Sequence, residues 1–557
     1  MAIRGLCVLL RRIRFPTRSP APSSRRFAAA AAAVPGSTCF HPFRFGFTQG
    51  KHHWDVMLGV LLSGQAAIFL GANVKTVLAE DVAEDALDGE LVAGDEQGEA
   101  YVTGLRRIED GSVISNEHTS KWRIYTDIGR DLSLKGKLDE AEKYFQLALG
   151  EAKEGFGPKD PHVASSCNNL AEIYRVRKKF EKAEPLYLEA IRILEESFGA
   201  DDIRVGAALH NLGQFYLAQK KLDQARACYE RSLKIKGRVL GYGHPDYAET
   251  MYHLGKVLYL QGKEKDAEAL IRESIRILEE AGMGESTTCI RRMRYLSQVL
   301  LNSNRHAEAE SLQRRLLHSL ELSKGWESLE TVIAAESLAL TLQSLGNLKE
   351  SQELLERCLV ARRKILSEDH VQVAANFLHL ARVGLLSSKH LQTSDAEAEL
   401  DKARLLLDKS IRITKAILNP SKKVQKSVDT ASALAASERE KHEAFIVLLQ
   451  SLDAVGLLEV RRCEVLMSKE SCEYPFEAEL ALRDCLAIFK EPHMRNILMN
   501  TPDVKAEYLS CLNRLSSIIR DSAVETERAK ELFEEAQRIE AELSPRKHRK
   551  WYKFLSN

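Results

Sequence analysis

In the segment NNLAEIYRVRKKFEKAEPLYLEAI, Asn168 to Ile191, small and apolar residues recur at helical spacing on either side of a polar turn. Leu170, Ala171 and Tyr174 precede the turn; Ala183, Tyr187 and Ile191 follow it. That spacing predicts two amphipathic helices joined by a short connection. The pattern is copied along the chain. Steps of 42 residues from Asn169, Leu170 and Ala171 reach Asn211, Leu212 and Gly213, then His253, Leu254 and Gly255, then Tyr295, Leu296 and Ser297. Further steps reach Ser337, Leu338 and Ala339, then His379, Leu380 and Ala381, and one step back reaches Asp127, Ile128 and Gly129. A second small position lies twelve residues further on, at Ala141, Ala183, Ala225, Ala267, Ala309 and Ser351. In the seventh unit it is delayed to Ala403 by an insertion around 387–399.

Two antiparallel helices cannot bury both apolar faces unless neighbouring pairs stack on them. The repeat therefore predicts an all-α solenoid of antiparallel helix pairs over residues 121–418. Its small residues let the two backbones approach, and Leu170, Tyr174, Tyr187 and Ile191, then Leu212, Tyr216, Tyr229 and Leu233, fill the space around them. Beyond Asn419 the register is lost. Residues 419–440 read as a polar linker or loop, and 441–557 as degenerate helical repeats ending in a basic tail, PRKHRKWYKF. The stretch from Ala478 to Ile488 resembles half a unit, and the last pair has Ala529, Phe533 and Ala536 in second-helix roles.

The order small-x-x-Tyr, then Ala-Glu-x-Leu-Tyr, then Ala-Ile resembles the tetratricopeptide repeat. Its 42-residue period, the segment KKFEKAEPLYLEAIRILEESFG, the Gly-x-x-x-Pro-His-x-x-Ala of Gly157 to Ala164 and the GYGHPDYA of Gly241 to Ala248 resemble the kinesin light chain subgroup. The resemblance spans about Lys121 to Leu418. It departs from the pattern at Asp202 to Gly206, where the His-Pro turn is missing, and the units after Gly282 are less regular. It implies a right-handed superhelical solenoid whose first helices line a concave groove for an extended peptide or a partner helix.

The positions matching that groove are Arg123 and Arg130 in the first unit, Asn168, Asn169, Glu172 and Arg175 in the second, and His210, Asn211 and Gln214 in the third. Glu249, Tyr252, His253 and Lys256 follow in the fourth, and Arg291, Arg292 and Arg294 in the fifth. A peptide backbone offers N–H and C=O in alternation, and an asparagine amide can bond both. Arginine adds bidentate contacts to carboxylates.

Charge and composition change the picture at the N-terminus. The 557 residues carry a formal net charge of +1, but residues 1–54 contain nine basic side chains and no Asp or Glu. The remainder holds 71 basic and 79 acidic residues, which disfavours nucleic acid as a partner by bulk charge. The start, MAIRGLCVLLRRIR, is amphipathic and arginine-rich and is followed by Ser, Pro and Ala, the pattern of an organellar transit peptide. RRFA at 25–28 resembles a mitochondrial processing site, so residues 1–54 are expected to direct the chain to a mitochondrion, with the chloroplast as the alternative. Within 55–75, nineteen uncharged residues from Val56 to Val74 would just cross a hydrocarbon core of about 30 Å, making this a candidate inner-membrane anchor. Residues 76–120 read as an acidic linker.

Candidate chemistry is sparse. HExxH, GxSxG and GxGxxG do not occur in the sequence, and GKVLYLQGKE at 255–264 has the wrong spacing for a phosphate loop. None of the ten cysteines forms a CxxC pair, and they read as small core residues. His210 and His253 recur because the repeat does. The sequence thus points to no catalytic residue, no metal and no cofactor, and to no small-molecule substrate. It predicts a non-enzymatic organellar scaffold or adaptor that holds a protein or peptide partner and supports assembly of a complex. The alternatives are an organellar RNA-handling repeat protein, kept open by the cluster at Arg291 to Arg294, and a kinesin light chain-like cargo adaptor.

Overall fold

The computed structural model describes residues 116–418, 431–467, 476–490, 501–521 and 526–543. The expected transit peptide, anchor segment and nearly all of the acidic linker lie outside them, as do residues 419–430 and the basic tail. Among the described residues there is no strand, and no helix is long and apolar enough to cross a membrane.

Seven helix pairs follow the sequence repeat. They are α1 (Glu117–Leu134) with α2 (Leu138–Phe156), α3 (Pro161–Val176) with α4 (Phe180–Phe198), α5 (Ile203–Ala218) with α6 (Leu222–Val239), and α7 (Pro245–Leu260) with α8 (Glu264–Glu280). Next come α9 (Thr287–Asn302) with α10 (His306–Lys324), α11 (Leu329–Ser344) with α12 (Leu348–Ile365), and α13 (Val371–Ser387) with α14 (Thr393–Leu418). Four more helices extend the stack: α15 (Ala431–Met467), α16 (Phe476–Lys490), α17 (Pro502–Asp521) and α18 (Thr526–Leu543). Each helix packs on the next in sequence. In the C-terminal third α15 also packs on α13 and α17 on α15, so the solenoid continues there, and one apolar cluster runs from Val371 to Ile539.

Local chemistry sets the unit length. The N–H groups at the start of each first helix need acceptors. At α3, α5, α9, α7 and α13, Asp160, Asp202, Ser286, His244 and His370 supply them, the acids and the serine with oxygen and the histidines with Nδ1. Asp202 does this where the His-Pro turn is missing. Six of the seven first helices, all but α13, end in a left-handed residue: Gly136, Lys178, Lys220, Gly262, Asn304 or Gly346, with φ between 55° and 83°. The following N–H bonds a carbonyl five residues back, as in Lys179 to Tyr174 at 2.8 Å and Lys221 to Tyr216 at 2.9 Å. For a lysine that conformation costs about 1–2 kcal/mol, which these bonds and the packing of the pair offset.

The small residues are where the paired helices approach. A Cβ on Gly129 would lie 3.0 Å from the Phe145 ring, on Gly213 2.7 Å from Tyr229, and on Gly255 2.8 Å from Ile271. Ala141, Ala171, Ala183, Ala225 and Ala267 are fully buried. Across units, second helices carry a ladder of ion pairs about one unit apart, including Arg272–Glu308 at 3.0 Å and Arg314–Glu350 at 2.6 Å. Arg231–Glu195 and Arg315–Glu279 belong to the same ladder. These groups are largely exposed, so each contributes at most about 1 kcal/mol.

Four expectations change. Residues 431–440, assigned to a polar linker, form the first turns of α15; ASALAASEREK lacks an apolar stripe but is rich in strong helix formers. The insertion near 387–399 becomes extra turns at the start of α14, which runs 26 residues. Phe533 is 51% exposed, because no described helix packs beyond α18. Cys485 and Cys511 are joined as a disulfide between α16 and α17, whereas Cys167, Cys289 and Cys358 are buried thiols in the core.

The close approach at Gly213 yields a paired prediction. Alanine there gains about 1 kcal/mol in helix propensity but drives a methyl into the buried Tyr229 ring, an overpacking that costs about 1–3 kcal/mol. Gly213→Ala should therefore lower stability. Gly150→Ala, in α2 with nothing within 4 Å of the new Cβ, should raise it by up to about 1 kcal/mol. Urea denaturation of both variants reads the difference, and equal shifts would show that the 213 site is not close-packed.

Candidate functional site

The positions singled out in the sequence form a stripe along α1, α3, α5, α7 and α9, but their exposure differs. Arg123 and Arg294 are exposed; Arg130, Glu172, Gln214, Glu249 and Arg291 are half-buried. Asn168, Asn169, Arg175, His210, Asn211, Tyr252, His253, Lys256 and Arg292 are buried.

Much of the burial comes from contacts between successive first helices. The Asn211 amide donates to Asn168 Oδ1 at 3.0 Å. His210 Nδ1 lies 3.0 Å from the Thr250 hydroxyl, and Tyr252 meets Tyr295 edge to face at 5.8 Å. The Lys256 ammonium sits over the rings of Tyr252 and Tyr295, and Arg292 donates to the Ser274 carbonyl at 3.1 Å. Within the second unit, Arg175 pairs with Glu172 at 2.8 Å and the Tyr187 hydroxyl donates to the same carboxylate. The outward placement expected of Asn168, Asn169, Glu172 and Arg175 thus gives way to a stitched layer. Asn168 and Asn211 hold α3 to α5, Asn169 is buried beside them, and Glu172 with Arg175 turns toward the buried tyrosine. Replacing one of these residues would leave its buried partner unsatisfied at about 1–3 kcal/mol, so a loss of binding there is confounded by a loss of stability.

The electrostatics follow from burial. Desolvation pushes His210 and His253 well below the usual histidine range, and the neighbouring cations, Lys236 and Lys256 first among them, add to it. Both imidazoles are neutral near pH 7. Burial likewise lowers Lys236 and Arg292, with Glu249 opposing the shift in each. Glu249 therefore faces two buried cations and two imidazoles, and the ligand atoms of His210, Glu249 and His253 lie within 4.8 Å of one another.

The groove positions read from the sequence stopped two repeats short. His379 and Arg382 on α13 stand three periods beyond His253 and Lys256, the same arithmetic that found the others. His379 is buried near the Glu336–Arg362 pair, whose guanidinium and carboxylate make two 2.6 Å hydrogen bonds. Lys236 was missed for a different reason: it lies on a second helix, where no groove residue was sought.

Comparison with known families agrees with this geometry. A family model described as tetratricopeptide repeat matches residues 123–196 and 204–280, and a second with the same description matches 331–372. These segments are tetratricopeptide repeats. No curated protein matches the chain. Among solved structures it is similar to Podosopora anserina kinesin light chain nearly identical TPR-like repeats, at 20% identity over 37% of this chain and 99% of that one, with a TM-score of 0.35. The apo form of RapI is 12% identical over 68% of this chain and 99% of that one, with a TM-score of 0.42. The apo quorum sensor NprR from B. thuringiensis is 11% identical over 76% of this chain and 98% of that one, with a TM-score of 0.41.

The buried histidines of the repeats make stability depend on pH. Burial lowers His379 to about 4, and His210 and His253 shift the same way. Each folded value lies below the unfolded one, so between about 6.5 and the folded value the unfolded chain binds more protons and acid destabilises the fold. Glu507, raised to about 7 by burial, acts oppositely over an overlapping range. Toward the acid end the lowered carboxylates, Glu268, Glu336 and Glu535 among them, act with the histidines, and together they predict a net fall in stability from pH 6.5 to 4. In His379→Gln the slope should flatten by up to about 1.4 kcal/mol per pH unit, read by urea denaturation across that range; an unchanged slope would mean that His379 titrates normally.

Proposed function

We propose that this chain is a non-enzymatic scaffold whose first-helix stripe holds an extended peptide or helix of a protein partner, and that it works inside an organelle to assemble or stabilise a complex. One observation carries the groove reading. At the position where the second to fourth units place the buried Asn168, His210 and Tyr252, the fifth unit places Arg294, which reaches solvent, and at the position of its half-exposed Arg291 the first unit places the exposed Arg123. Between them lie neutral imidazoles and amides. A ligand with a carboxylate near each end and a polar backbone between suits that sequence of groups. The resemblance to peptide-binding repeats supports the same reading. The mitochondrial address rests on the acid-free, arginine-rich residues 1–54 alone, and the inner-membrane anchor on the length of the uncharged segment at 56–74.

Arg291→Glu with Arg294→Glu alters half-buried or exposed groups and should leave the fold intact while lowering recovery of the partner in proximity labelling or co-purification at least tenfold. An unchanged partner list would remove the groove assignment. For the address, residues 1–54 fused to a fluorescent reporter should enter mitochondria; a diffuse cytosolic signal would sink the import reading, and plastid signal would favour the alternative.

A further inference from the structure

We propose that His210, Glu249 and His253 form a binding site for a divalent transition-metal ion of the zinc class, joining the third and fourth repeats. Two of the three groups, Glu249 and His253, lie four residues apart on one face of α7, and the third comes from the adjacent α5. Their ligand atoms are all within 4.8 Å of one another. Two imidazoles and one carboxylate, with ligand bonds of about 2.0–2.2 Å, are a set that zinc accepts while keeping a fourth position for water or a partner's oxygen.

The hydrogen bonds prepare His210 for this role. The Thr250 hydroxyl donates to the Asp246 carbonyl at 3.2 Å, so toward His210 its oxygen is the acceptor. That fixes the proton on Nδ1 and leaves the Nε2 lone pair available, oriented by an outer hydrogen bond in the way metal-bound histidines are. Nε2 is met at 3.1 Å by the side-chain amide of half-buried Gln214, a group that rotation about its side-chain bonds can withdraw. In the second imidazole, His253 Nδ1 is buried without a hydrogen-bond partner, although the residue is only 9% exposed. A buried polar atom left in this state costs free energy that a ligand can recover.

Lys236, Arg292, Lys256 and Arg291 stand nearby, and the first three have other partners. Lys236 donates to the Asp246 carbonyl, Arg292 to the Ser274 carbonyl, and Lys256 lies over two tyrosine rings. Their charge still opposes a dication, so the site should bind with a micromolar rather than a nanomolar Kd. Imidazole ligands also mean selection for zinc, cobalt or nickel over magnesium or calcium.

The test uses the full chain after dialysis against a chelator, titrated with Zn²⁺ by calorimetry, with Mg²⁺ as the control and Co²⁺ as a spectroscopic probe. Thiols elsewhere in the chain can also take zinc, so the cobalt spectrum is decisive: ligand-field bands without thiolate charge transfer are expected from this set. Glu249→Gln, which keeps size and hydrogen-bonding capacity, should weaken Zn²⁺ binding at least tenfold, and adding His253→Gln should remove one equivalent per chain. Circular dichroism confirms that the variants fold. Equal stoichiometry and affinity in wild type and double variant, or a cobalt spectrum dominated by thiolate charge transfer, would overturn the proposal. Neither result bears on partner binding by Arg291 and Arg294.

Discussion

Everything in this fold depends on how closely the two helices of a unit can approach. Gly129, Gly213 and Gly255 lie directly beneath Phe145, Tyr229 and Ile271, so the bulk sits on one helix and the gap on the other. Were the small side to grow, the pair would open, and the apolar surfaces that the next unit must cover would no longer match it. The same size constraint explains why the aromatic residues at these places are core. Tyr187 and Tyr229 are almost completely buried, and a tyrosine in that position is a space-filling group before it is a chemical one.

Close approach alone would not give a solenoid of equal steps. The step is set by two kinds of punctuation, a side chain that caps the first helix and a left-handed residue that ends it. With both in place, the residues at one set of first-helix positions fall in line from unit to unit. That alignment explains how a chain with little net charge can still concentrate cationic groups, because Arg123, Lys256, Arg291, Arg294 and Arg382 come from four separate units.

The helix pairs were legible in the sequence because the packing rule repeats: a small residue and its partner twelve positions on recur whatever else changes. The caps were less so, since Asp160, Asp202, His244 and Ser286 do one job with three residue types. The start of α15 was hidden because its helix-forming composition carries no apolar stripe. The disulfide was hidden because Cys485 and Cys511 are 26 residues apart and meet only after two helices have stacked. For the candidate stripe, the sequence identified the right positions but not their state. Whether Asn168 faces solvent or Asn211 depends on how far the neighbouring unit is turned, a quantity that spacing along one helix does not contain.

Beside the repeated ion-pair ladder, some polar bonds that cross between units are particular to one joint. Trp122 donates to Ser166 between the first and second units, Tyr216 to Glu184 between the second and third, and Asn302 to the Tyr259 hydroxyl between the fourth and fifth. An array of near-identical blocks has many almost equivalent ways to assemble wrongly, with a block seated on the neighbour of its neighbour. Apolar surfaces tolerate such slippage, since one leucine fits much as another. A donor that finds no acceptor does not, and so these joints carry keys of their own, and the order of the blocks is written in part into side chains that contribute little to holding any single block together.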